Sequence, residues 1–125
     1  MATLVNETEH RLPDAEALGR WIIQQGLDGN AASTVFEGFC GQILAGGIPI
    51  QRGLCAMRIL HPLQMGSGLV WRRGVEGVEE QIYTEENNVP GAWEKSPLKV
   101  MVDDGEPELR RRILGPEVGE EFPVL

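Results

Sequence analysis

The chain has 125 residues, a formal charge of -8, 42% hydrophobic residues and 24% charged residues. That length suits one domain burying about two thirds of its unfolded surface, and the composition excludes wholesale disorder. The acidic balance excludes nucleic acid as a general partner, because a phosphate backbone is held by clustered Lys and Arg on a net basic surface.

Residues 1–13 show little periodicity and are expected to form a flexible lead-in. From residue 14 to residue 125 the pattern reads as one α+β domain. Pro13 and Asp14 make a helix start, and Leu18, Trp21 and Ile22 recur at helical spacing up to a stop at Gly26. A second helix follows. Phe36, Phe39, Cys40, Ile43 and Leu44 share one face, with Thr34 and Glu37 read as a capping box. Gly38 and Gly41 each cost this helix about 1 kcal/mol relative to alanine, which predicts close approach by another backbone.

Gly46, Gly47 and Pro49 end that helix. Arg52 to Leu60 then forms a strand apolar on both faces, the pattern of a central strand covered from two sides. A loop from His61 to Gly68 leads to a second apolar run, Leu69 to Trp71. A short third strand is predicted at Gln81 to Thr84. Ser96 and Pro97 open another helix, serine capping and proline at the first helical position, with Gly105 ending it. Glu108 to Leu114 alternates as an exposed strand, and the tail ends in the apolar residues Phe122, Val124 and Leu125. Together these elements predict a small antiparallel sheet with helices packed on one side.

The chemistry-bearing residues are few. Cys40 and Cys55 lie inside apolar runs without CxxC spacing and read as buried free thiols. His10 falls in the lead-in, and His61 precedes Pro62 at a strand end, a structural position before a catalytic one. Two histidines and two cysteines at scattered spacing make no metal motif. The glycine sets Gly46-Gly47 and Gly66-Ser67-Gly68 lack the context of a phosphate cradle, so turn glycines suffice. No cofactor is implied. The paired carboxylates Glu79-Glu80, Glu85-Glu86 and Asp103-Asp104 read as a solvated face. No stretch approaches the roughly 20 apolar residues that span a bilayer, so no membrane insertion and a cytoplasmic location are expected.

The run EGFCGQILAGGIPIQRGLCAMRILHPLQMGSGLVWRRG, followed by SPLKVMVDDGEPELRRRILGPEVGEEFPVL, resembles the region preceding the catalytic domain of bacterial class III adenylate/guanylate cyclases. The shared marks are Gly47 with Pro49 after a helix, His61-Pro62 at a strand end, the Trp71 to Gly74 strand end, and Ser96 to Leu98 opening a later helix. The resemblance implies a regulatory module of PAS or GAF type, truncated at its C-terminal end where the relatives continue into another strand. The metal-binding aspartates and the purine-selecting and transition-state residues of a cyclase map onto no position here, so the chain is expected not to be an enzyme. The leading expectation is a regulatory or sensor domain in cyclic-nucleotide signalling, acting through homodimerisation or through a small-molecule ligand. Met57, Arg58, His61 and Trp71 are the candidate lining of a pocket between sheet and helices. The alternatives are a small enzyme using His61 in acid-base chemistry, and a structural interaction module whose contact is the tail from Phe122 to Leu125.

Overall fold

The computed structural model describes residues 14–112. The chain divides into two compact units, Met1–Glu85 and Glu86–Leu125. Within the described part of the first unit, α1 (Ala15–Leu27) and α2 (Ala32–Ala45) precede β1 (Arg52–Arg58), β2 (Gly66–Arg72) and β3 (Glu79–Tyr83). The architecture is α+β, with the three strands forming an antiparallel sheet in the order β1-β2-β3. No helix among the described residues is long and apolar enough to cross a membrane.

Helix α1 begins where the sequence places it. The Asp14 carboxylate accepts from the amides of Glu16 and Ala17 at 3.0 and 3.2 Å, satisfying two donors that the first turn leaves without carbonyls. It runs one residue past Gly26, ends at the Asp28 cap, and turns away through Gly29 at φ 77°. The expected capping box at Thr34 and Glu37 is not formed. Helix α2 starts earlier, with Ala31 as a cap that supplies no side-chain acceptor. Thr34 is therefore already inside the first turn, and Glu37 is drawn elsewhere: its Oε1 accepts from the Gly77 amide at 3.2 Å, tying the β2–β3 loop to α2.

The two helical glycines behave differently. A Cβ on Gly38 would lie 2.6 Å from the Trp21 ring, so Gly38 is the notch into which α1 sets its indole. The close approach comes from a side chain, not from a backbone. Gly41 faces open space, with nothing within 4 Å of a Cβ.

Helix α2 lies on one face of the sheet. A Cβ on Gly53 would meet the Cys40 sulfur at 3.0 Å and the Phe36 ring at 3.2 Å, which fixes Gly53 as the point where the helix touches β1. Trp71 is the cross-strand partner of Gly53, and Leu69 of Cys55, so these residues share the helix-covered face. The described core consists of Cys40, Leu69, Val70 and Trp71. The expectation that Arg52 to Leu60 is the central, doubly covered strand is corrected: β1 is an edge strand with Leu54, Ala56 and Met57 exposed, and β2 is the central and buried one. An apolar run cannot distinguish the two positions, because burial depends on which strands flank it. β2 also begins at Gly66, inside the segment expected to be loop.

In the second unit, Ser96 caps α3 (Pro97–Asp103) by accepting from the Leu98 amide at 3.1 Å, with Pro97 where its missing N–H costs nothing. Trp93 donates from Nε1 to Asp103, which also lies 3.8 Å from Lys99. The expected strand from Glu108 is not formed over residues 108–112, which have no regular structure. Two of the arginines there find local partners instead: Arg110 pairs with Glu108, and Arg111 donates to the Arg110 carbonyl. Residues 113 and 114, the tail from Phe122 to Leu125 and the lead-in lie outside the described residues.

The glycine pair in α2 gives a signed test. Gly41→Ala should raise stability by up to about 1 kcal/mol through helix propensity alone. Gly38→Ala gains the same propensity but displaces Trp21, and should lower stability by about 1 to 3 kcal/mol. Urea unfolding midpoints of the two variants should therefore move in opposite directions.

Candidate interaction surface

The four candidate pocket residues are not gathered into one site. Met57 and Trp71 are on the helix-covered face, but Met57 pairs with Ser67, four positions along β2 from Trp71 and so roughly 13 Å away. Trp71 is buried in the core, whereas Met57 is exposed. Arg58 is exposed at the far end of β1, paired with Gly66, and presents to the opposite face. His61 is exposed in the loop, where its Nδ1 accepts from the Leu63 amide at 3.0 Å and closes the turn around Pro62. No carboxylate of the described residues lies within ion-pair distance of it.

The polar groups that do converge lie on the face away from α2. Alternate residues of β3 project there, and their side chains form a connected row. The Arg72 guanidinium donates to Glu79 Oε2 at 3.1 Å, Gln81 donates to Glu79 Oε1 at 3.2 Å, and the Tyr83 hydroxyl donates to Gln81 Oε1 at 2.8 Å. The row ends in an aromatic cover. A Cβ on Gly68 would lie 3.2 Å from the Tyr83 oxygen and 3.3 Å from its ring, and one on Gly66 would lie 3.8 Å from the same ring. Tyr83 thus lies across the glycines of β2, with Leu54 at 3.7 Å on the other side of Gly68. This is how glycines inside a strand come to be buried: a neighbouring ring supplies the apolar surface they lack.

Electrostatics along the row follow from these contacts. The Gln81 and Arg72 hydrogen bonds hold the Glu79 carboxyl below its ordinary range, with Arg72 and Arg52 adding charge attraction. A shallow cavity of about 270 Å³ opens beside the same row, lined by Val70, Arg72, Val75, Glu76, Gly77, Val78 and Glu79. None of the sequence-predicted pocket residues lines it. Leu54 and Tyr83 are 42% and 41% exposed, so the face is both apolar and wet.

Cys40 and Cys55 are both free thiols, Cys40 buried and Cys55 half-buried. Burial pushes the Cys40 thiol above its ordinary value, and the nearby Cys55 adds to that shift. A buried thiol that resists ionisation is a packing residue first. No cluster of three or more His, Cys, Asp or Glu able to hold a metal occurs among the described residues.

Sequence reasoning missed the Arg72–Glu79–Gln81–Tyr83 row, because it joins two strands across a loop. The available signal was the period-two spacing of Glu79, Gln81 and Tyr83. Comparison with family models gives no match to this chain, and neither the curated proteins nor the solved structures give one.

Tyr83→Ala should lower stability by about 2 kcal/mol by uncovering Gly66 and Gly68, whereas Tyr83→Phe keeps the cover and should cost less than about 1 kcal/mol. Thermal or urea unfolding separates the two. Glu79, with its pKa lowered by folding, stabilises the fold at and above the ordinary carboxylate range and loses that contribution as the pH falls below that range. The wild-type unfolding midpoint should therefore fall more steeply between pH 5 and pH 3 than that of Glu79→Gln, and equal slopes would remove Glu79 from the account.

Proposed function

We propose that the chain is a non-catalytic regulatory or sensor module that works by association through the solvent-facing side of its sheet, with a second copy as the first partner. One observation carries this reading: a sheet face that is apolar at Leu54, Ala56 and Tyr83 yet bordered by charges of both signs, Arg52 and Arg72 on one side and Glu79 on the other. Such a face is self-complementary. A two-fold axis running along β2 sets β1 of one copy across from β3 of the other, which brings Arg52 near Glu79 of the second copy. Isologous contacts of this kind bury the apolar centre and leave the ion pairs at the rim.

The resemblance to the region preceding class III nucleotide cyclases supports a setting in cyclic-nucleotide signalling, in the cytoplasm, where dimerisation of a regulatory module of PAS or GAF type would be the transmitted event. Association is preferred to a small ligand as the mode of action, because the cavity beside the sheet is shallow and the candidate lining residues are distributed over both faces.

Light scattering or sedimentation over a concentration series tests the reading. The chain should shift from monomer to dimer, and Leu54→Glu, which alters an exposed side chain and should leave the fold intact by circular dichroism, should keep it monomeric. A chain that stays monomeric up to about 1 mM, the limit of weak specific association, would sink the dimer.

A further inference from the structure

We propose that the open edge of β1 accepts an extended acidic segment of a partner protein as a fourth strand, with a carboxylate of that segment held by Arg52. The proposal rests on the association reading above and names the chemistry of a partner at the margin of the same face.

The first ground is topological. All seven residues of β1 pair with β2 on one side, and among the described residues no strand lies on the other. A row of backbone N–H and C=O groups along an edge is a template for one more strand.

The second is electrostatic. Arg52 and Arg72 are direct cross-strand partners on one face, and like charges placed opposite each other destabilise a sheet. Arg72 is compensated by Glu79 at 3.1 Å. Arg52 is exposed and attracts Glu79 only at longer range, with no ion pair to it among the described residues. A carboxylate arriving at the outer edge would relieve the repulsion, and the guanidinium fork matches a carboxylate with two parallel hydrogen bonds. An anionic partner is otherwise unexpected for a chain of formal charge -8, which makes this local inversion of sign informative.

The third is the pattern next to the arginine. Leu54 and Ala56 follow on the same face, both exposed. An incoming strand with an acidic residue opposite Arg52 and apolar residues at the next two alternate positions meets a complementary group at each one. A second copy of β1 is a poor occupant of this edge, because antiparallel pairing centred on Cys55 would set Arg52 against Arg58 of the second copy twice over.

The probe is a blocked peptide of alternating threonines carrying one glutamate followed by two valines on one side, with a control in which lysine replaces the glutamate. Titrated into the full chain, the glutamate peptide should bind with a dissociation constant of about 10 to 100 μM. The lysine peptide should bind at least tenfold more weakly, Arg52→Gln should lose the same factor, and 0.5 M salt should weaken binding. Amide chemical shifts should move along β1 and not along β3. Equal binding of the two peptides, unchanged binding by Arg52→Gln, or shifts confined to β3 would overturn the proposal. Failure of the peptide in a chain that still dimerises defeats this inference alone, and peptide binding to a strictly monomeric chain defeats the dimer alone.

Discussion

The contact on which the first unit depends is the seating of α2 on Gly53. With Cys40 and Phe36 pressed against a residue that has no side chain, the helix approaches β1 closely enough to cover Leu69 and Trp71 on the neighbouring strand. A side chain at Gly53 would press on the Cys40 sulfur and the Phe36 ring and make both give way. The same approach places Glu37 where it can bond to Gly77, so the β2–β3 loop is fastened by the helix that the sheet supports. Burial of Cys40 and the raised pKa of its thiol are further results of that contact.

Strand β2 divides its residues unequally between its two faces. Toward α2 it sends Leu69 and Trp71, and toward the other side it sends Gly66, Gly68 and Val70. Large side chains meet a helix, and small ones leave a shallow trough that a ring from β3 fills. The fill is incomplete at Leu54 and Ala56, and this incompleteness is the chemical basis of the association proposed above. Arg72, Glu79, Gln81 and Tyr83 hold one another in place across the trough, so the surface offered to a partner is already ordered before contact. Ordering in advance reduces what association must cost.

Much of the secondary structure was legible in the sequence because the signals were local. Asp14 and Ser96-Pro97 announce helix starts through hydrogen bonds that reach two or three residues, and the structure forms both. The three strands are likewise visible as apolar or alternating runs. What was not legible depended on partners distant in the chain. Whether β1 or β2 is central is decided by pairing, and the near-continuous apolar character of Arg52 to Leu60 misdirects that judgement. Thr34 and Glu37 satisfy the spacing of a capping box, but Glu37 has a better use against a loop forty residues away. Glu108 to Leu114 alternate like a strand, and over residues 108–112 no strand of the described residues pairs with them. The polar row on the open face was hidden for the same reason, whereas His61 and Trp71 stood out by residue type and sit in a turn and in the core.

Every strand pairing in the sheet joins sequence neighbours, β1 to β2 and β2 to β3, through short loops. The chain therefore has little loop-closure entropy to overcome before its sheet forms, and low contact order favours rapid folding. A protein with an exposed edge strand is most at risk of mispairing while it is partly folded. Adjacency of its strands shortens that interval, and this gives the meander a role in limiting how long its edge is exposed to mispairing.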